Sequence, residues 1–282
     1  MSRNPPAIGR LATSFNGLRV WRREQTVWGG RMRAETFDRT LYLWLHRLGL
    51  MGASERAALR RLVRPGMTVV DVGANLGLYS VFLARQVGPA GRVVSFEPDP
   101  DLFALLRGNC AANAVANVEA YNMALGAAAG RMILSRLTLN SGDNHLGADP
   151  DGAFHRPIEV EVASLDSMMP SIRPDLIKVD VQGWELKVLA GMESLLTRVR
   201  ALGIFLEVCP KWLRRAGDGP EDLYDFLGAL GFTLYSCADW RPFDRPSYLA
   251  MAGRLKGQGH VDVFASRAGP PRGGDGPPGG PG

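Results

Sequence analysis

The chain is poor in cysteine and lysine and lacks any long apolar run. Its three cysteines, Cys110, Cys209 and Cys237, stand far apart with no C-x-x-C spacing. That excludes a disulfide framework and a cysteine-built zinc site, and it suits reduced, mostly buried thiols in a cytoplasmic protein. No apolar stretch approaches the roughly 18 residues of a transmembrane helix. The arginines near the N-terminus are not followed by the apolar segment of a secretory signal. The dinucleotide fingerprint G-x-G-x-x-G is also missing: counted from Gly73, its later glycines would fall on Asn75 and Leu78. A nicotinamide dinucleotide is therefore disfavoured.

What is present includes a skewed basic charge. Arginine outnumbers lysine 29 to 4, and residues 1–64 carry thirteen arginines against four acids. That arm holds +9 of the net +5, leaving the remainder at −4. It could meet an anionic membrane surface peripherally, a phosphorylated substrate or RNA, or be a solvated face or a dimer contact. Oligomeric state stays open. At 46% hydrophobic residues over 282, a sizeable core is available. Residues 269–282 are glycine or proline at 12 of 14 positions, cannot bury a core, and are expected to be disordered.

Residues 69–77 read Val-Val-Asp-Val-Gly-Ala-Asn-Leu-Gly. An apolar strand ends at Asp71, a glycine turn follows at Gly73, and a helix starts after Gly77. Such a turn brings a ligand to bare backbone, and the helix start offers free N–H groups. An acid before the turn would repel a diphosphate. It suits a cofactor carrying positive charge, such as S-adenosylmethionine (SAM), with its sulfonium and ammonium. Glu97 ends the next strand, 24 residues after Gly73, where an acid can hold a ribose diol. Its other reading is a helix N-terminal acid ahead of Pro98.

From residue 67 onward strand and helix patterns alternate. Strands are expected at 67–71, 93–96, 118–122, 176–181, 202–208, 232–237 and 260–265, with an antiparallel pair at 130–135 and 158–163. Helices are expected at 78–87, 101–112, 184–196 and from Pro220 to Gly231. Two more lie ahead of them: an amphipathic one from Glu35 to Leu48, facing inward with Phe37, Leu41, Trp44, Leu45 and Leu48, and one from Glu55 to Val63 capped by Ser54. Residues 1 to about 30 read as loop. The pattern predicts an α/β fold, a mostly parallel sheet with helices on both faces. Its expected division is a basic helical extension (1–64), a cofactor-binding domain (65–268) and the tail (269–282).

The chain resembles the FkbM-type SAM-dependent methyltransferases. The stretches carrying the resemblance are VDVGANLGLYS (70–80), SFEPDPDLFALLRGNCAAN (95–113), NMALG (122–126), SLDSM (164–168), DLIKVDVQGWELKVLAG (175–191) and FLEV (205–208). It implies a Rossmann-like class I fold and an O-methyltransferase acting on the hydroxyl of a small molecule, such as a sugar of a glycolipid or polysaccharide or a natural product. The alternatives are an RNA methyltransferase, for which no recognisable RNA-binding module is seen, and a SAM-binding protein without catalysis. The family commonly has Asp-Val-Glu-Gly at 180–183. Here Gln182 replaces the glutamate, so no mechanism is rested on that position.

For the cofactor, the candidates are Asp71, Gly73, Asn75, Gly77, Ser80, Glu97, Ala124 and Asp180. Asp71 would hold the ammonium, directly or through water, and Ala124 is small enough to sit beside an adenine. Asp180 closes an otherwise apolar strand, at the edge that faces the ligand crevice. It is also the first catalytic candidate, ahead of His145 in the polar loop Asn140–His145, a possible general base. His155 and His46 are weaker, and Tyr42 and Trp44 read as packing residues. Glu207 ends the fifth strand. Asp180, Glu207 and a third oxygen ligand could in principle hold Mg²⁺, but nothing in the spacing compels this and no metal ion is expected.

Overall fold

The computed structural model describes residues 24–136, 144–147, 157–257 and 259–270. The first five arginines, Asn140–Asp143, His155 and most of the Gly/Pro tail lie outside the described residues.

Seven strands form the main sheet: β3 (Thr68–Val72), β4 (Arg92–Phe96), β5 (Val118–Tyr121), β10 (Leu176–Val179), β11 (Gly203–Val208), β12 (Thr233–Ser236) and β13 (Val261–Ser266). Their order is β12-β13-β11-β10-β3-β4-β5. Only β13 runs against its neighbours β11 and β12 among these pairs, so the sheet is mostly parallel as expected. That order is the Rossmann-like arrangement of class I methyltransferases. From β3 the chain winds outward to β4 on one side, while β10 lies on the other. This switch point opens a crevice at the carboxyl ends of the strands.

Period-2 alternation gives each strand two destinations. Val70, Val72, Ile204 and Leu206 face one core layer, covered by α6 (Glu185–Ala190), α7 (Glu193–Arg198) and α9 (Pro220–Ala229). Val69, Phe205 and Phe264 face the other, against α2 (Ala53–Leu62) and α3 (Leu78–Val87). A smaller sheet, β6-β9-β7-β8, flanks the main one; it contains the antiparallel pair β7 (Gly130–Ser135) and β9 (Ile158–Ala163), with β6 at Ala124–Leu125 and β8 at His145–Leu146.

Four local readings are corrected. The loop expected up to about residue 30 instead ends in a hairpin of β1 (Glu24–Val27) and β2 (Gly30–Arg33). Asn109 and Asn113 of α4 (Pro100–Ala112) and its C-cap hold that hairpin through its Arg31 and Arg33 backbone, a tertiary contact no local pattern announces. Helix α1 (Phe37–Arg47) presents a different face from the one expected: Thr40, Leu43 and His46 are buried, and Leu48 is 52% exposed. Leu43 packs with Val27 and Met32, so the hairpin sets the helix's rotation. Ser54 does not cap α2; Gly52 does, in the left-handed region, and the Ser54 hydroxyl donates to Glu55 instead. The helix expected over 184–196 is two, α6 and α7. Gly191 sits where a Cβ would lie 1.9 Å from the Gly126 carbonyl oxygen, and Asp166 accepts from the N–H groups of Ser194 and Leu195, starting α7 afresh.

Candidate functional site

A cavity of about 590 Å³ opens at the switch point. It is lined by Gly73, Asn75, Glu97, Ala124, Asp180 and His145 among the expected residues. Along the sheet edge the order runs Glu97 (after β4), Gly73 (after β3), Asp180 (after β10), Glu207 (on β11) and His260 (before β13).

The turn after β3 is built to close tolerance. Gly73 has φ +80°, and a Cβ there would lie 1.9 Å from the Asp180 carbonyl oxygen. Only glycine lets the β3 and β10 turns pass this closely. Asn75, at φ +51°, donates its backbone N–H to Glu97 Oε2 at 2.7 Å. Glu97 Oε1 accepts from the Asp99 N–H at 2.9 Å. Burial pushes the Glu97 carboxyl up to about 8, against those two backbone donors. Glu97 is no helix cap: Asp99 fills that role for α4, accepting from Asp101 and Leu102. Asn122 completes the wall by donating to the carbonyls of Glu97 and Pro98. Beside them Phe96, Met123, Ala124 and Leu125 give an apolar surface of the kind an adenine ring packs on. A buried carboxyl group at a ribose position, a cradle that a Cβ would fill and an apolar wall together fit the nucleoside part of SAM.

Three of the expected cofactor residues do not line this cavity. Asp71 is fully buried beneath it. Its Oδ2 accepts from the Ser80 hydroxyl at 2.7 Å, and Ser95 donates to Ser80 in turn at 3.0 Å. Its Oδ1 lies 3.4 Å from Lys178 Nζ. Of the two contacts expected of Asp71, direct or through water, the direct one gives way to an internal charge pair, and Ser80 serves that pair. Gly77 starts α3 at φ +88° and lets Leu106 approach: a Cβ would stand 2.6 Å from it.

Lys178 is the feature that sequence reading missed. It is 2% exposed, lies 3.4 Å from both Asp71 and Asp180, and its ammonium sits 4.8 Å from the Tyr79 ring centre. Burial alone would lower its affinity for the proton; Asp180, Asp71 and Glu207 more than offset that and raise it. Asp180 is thus held beside a fixed positive charge. Gln182, in the left-handed region, donates to Asp180 Oδ1 at 3.1 Å and to Glu207 Oε1 at 2.9 Å. The amide here ties two carboxylates together, which an ionised glutamate at that position could not do. Burial, then Asp180, pushes Glu207 well above the usual carboxylate range.

His145 is 4% exposed, with its ring 4.9 Å from that of Trp212. His46 is buried against Trp28, Tyr42 and Tyr79 and bonds the Tyr42 carbonyl through Nδ1; burial lowers its proton affinity. Two cavity residues escaped the sequence reading, Glu55 of α2 and His260. The signal for His260 was strand parity: it stands two residues before Asp262, on the face that Glu207 also uses.

The pattern of the methyltransferase FkbM domain matches residues 71–234. The chain is similar to methyltransferase sdnD of Sordaria araneosa, 28% identical over 45% of this chain and 60% of that protein. It is 33% identical to the 31-O-demethyl-FK506 methyltransferase FkbM of Streptomyces tacrolimicus over 50% of this chain and 66% of that protein. It is 27% identical to the hexuronic acid methyltransferase AglP of Haloferax volcanii over 56% and 59%. The matches thus span about three fifths to two thirds of these relatives' lengths. Because the domain pattern takes in more than half of the sequence, including the turn after β3, the Glu97 wall and the Asp180 strand, the chain belongs to the FkbM family of SAM-dependent methyltransferases.

Proposed function

We propose that the chain methylates a hydroxyl oxygen of a small molecule, such as a sugar or a natural product. The observation carrying this reading is one continuous cavity in which a nucleoside-sized wall (Gly73, Asn75, Glu97, Ala124) adjoins a polar wall (Asp180, His145, Gln182, Glu207). Relatives named for hexuronic acid and for 31-O-demethyl-FK506 support a small-molecule acceptor.

In this reading Glu97 holds the ribose hydroxyls and Gly73 gives backbone access to the methionine part. Bound there, SAM supplies an electrophilic methyl group whose S–CH₃ bond breaks as an O–CH₃ bond forms to the acceptor. Asp180, fixed by Lys178 and Gln182, faces the positively charged end of the donor, while Asp71 tunes that charge from below through Lys178. His145 takes the acceptor's hydroxyl proton. Orientation within a closed cavity supplies the larger share of the acceleration, and a positioned base adds about 10²- to 10⁴-fold.

Labelled SAM, incubated with fractionated hydroxylated small molecules and with RNA, tests this. An O-methyl ether in a small-molecule fraction, lost in Asp180→Ala and reduced in His145→Ala, is the expected result. Label found only in RNA, or unchanged turnover in both variants, refutes it.

A further inference from the structure

We propose that Glu55, Glu207 and His260 hold a divalent metal ion at the acceptor end of the cavity, and that the ion chelates an acceptor bearing two neighbouring oxygens, such as a vicinal diol or a 2-hydroxy acid. This rests on the methyltransferase reading and adds the acceptor class to it.

The three residues come from distant parts of the chain, α2, β11 and the residue before β13, yet their ligand atoms all lie within 4.8 Å of one another. All three line the cavity. His260 Nε2 stands 3.6 Å from Glu207 Oε2. That is too long for a hydrogen bond but close to the separation of two ligands that share one ion, each about 2.0–2.3 Å from it. Glu55 is steered there by the tight turn at Gly52, where a Cβ would lie 2.5 Å from the His46 ring.

A second observation points the same way. Asp262 is 8% exposed and its Oδ1 is buried with no hydrogen-bond partner. Asp262 pairs in register with Glu207 and stands two residues from His260, so all three share one face of the sheet. By the same parity Asp71 and Lys178 share that face, and Asp180 continues it. Four carboxylates, Asp71, Asp180, Glu207 and Asp262, thus share one sheet face with the single ammonium of Lys178, and Glu55 joins Asp180 and Glu207 at the cavity; an uncompensated buried carboxylate is costly. A divalent cation at this end balances the excess.

The donor set narrows the ion. Two carboxylates and an imidazole favour a first-row metal such as Mn²⁺ over Ca²⁺ or Mg²⁺, which prefer oxygen alone. Three protein ligands leave positions open, the mark of a catalytic rather than a structural site. An acceptor hydroxyl taking one of them becomes more acidic, and a second acceptor oxygen fixes its direction toward the donor. The hydroxyl proton then passes to the base named above.

The test uses the full chain after treatment with EDTA. Free Mn²⁺ is followed by electron paramagnetic resonance, and S-adenosylhomocysteine binding by calorimetry on the same samples. Wild-type protein should take up one Mn²⁺, with Glu207→Gln and His260→Gln each weakening uptake by at least about tenfold. The surface variant Glu193→Gln should bind as wild type, and retained S-adenosylhomocysteine binding certifies that each variant is folded. Lactate should alter the spectrum of bound Mn²⁺ and ethanol should not. No uptake by the wild type, or uptake that both ligand variants keep, overturns the metal site; identical spectra with lactate and ethanol overturn the chelated acceptor. Mn²⁺ uptake without S-adenosylhomocysteine binding would leave the metal site standing and remove the donor reading beneath it.

Discussion

Replacing Lys178 by methionine isolates the charge that the cavity floor depends on. The two side chains are close in volume, so the change removes an ammonium without opening a void. Lys178 is 2% exposed and lies 3.4 Å from Asp71, which is fully buried, and 3.4 Å from Asp180, which is 28% exposed. Deleting one partner of a buried pair leaves the other unbalanced and costs about 3–5 kcal/mol. Against a total stability of about 5–15 kcal/mol, that is about a fifth or more of what holds a domain of this kind folded. The loss belongs mainly to Asp71, because Asp180 can turn toward solvent and Gln182. Lys178→Met should therefore lower the unfolding free energy by about 3 kcal/mol or more in urea at neutral pH. Adding Asp71→Asn should restore part of it, with a coupling of at least about 1 kcal/mol in the double-mutant cycle. A Lys178→Met loss below about 1 kcal/mol, or additive single effects, would refute the pairing.

Three other outcomes are expected. Glu97 sits at about 8 instead of the ordinary 4.5, chiefly from burial, so the folded chain keeps a proton that the unfolded chain has released. Stability from this group is therefore highest below 4.5 and falls as pH rises toward 8; urea midpoints should drop between about pH 4.5 and about pH 8, and the Glu97 share of that drop should vanish in Glu97→Gln. Gly73→Ala should cost at least about 2 kcal/mol and abolish S-adenosylhomocysteine binding, because its Cβ meets the Asp180 carbonyl and the left-handed φ resists a side chain; a calorimetric isotherm like that of wild type would contradict the turn's role. Gln182→Glu exchanges two charge-directed hydrogen bonds for a third negative charge and should lower the melting temperature at about pH 8 more than at about pH 5, a gap that scanning calorimetry resolves.

The strand run was legible because the β-strands carry their own period and glycine or proline marks the turns after β3, β4, β10 and β11. Gly73, Asn75 and Glu97 could be read as site residues since the turn and the next strand's end lie in fixed relation to one another. Asp71 could be recognised but its partner could not. Lys178 looks like an ordinary polar interruption of an apolar strand until the parallel register sets it directly opposite Asp71. Glu55 was out of reach for the same reason, and parity could give His260 its face but not its neighbours: their meeting depends on where α2 docks and on β13 entering the sheet in reverse. The inward face of α1 was misjudged because the hairpin that turns it was itself read as loop.

Helix α2 has two duties. Its Ala58 and Leu59, with Val63, seal the apolar layer over Val69, Phe205 and Phe264, while its first turn carries Glu55 to the cavity. Whatever lifts this helix to admit an acceptor also uncovers that layer, so access and cohesion are coupled. A fragment beginning at residue 65 would keep every motif of the family and still be a worse protein than the chain it came from, sticky on one side and with its reaction chamber unroofed.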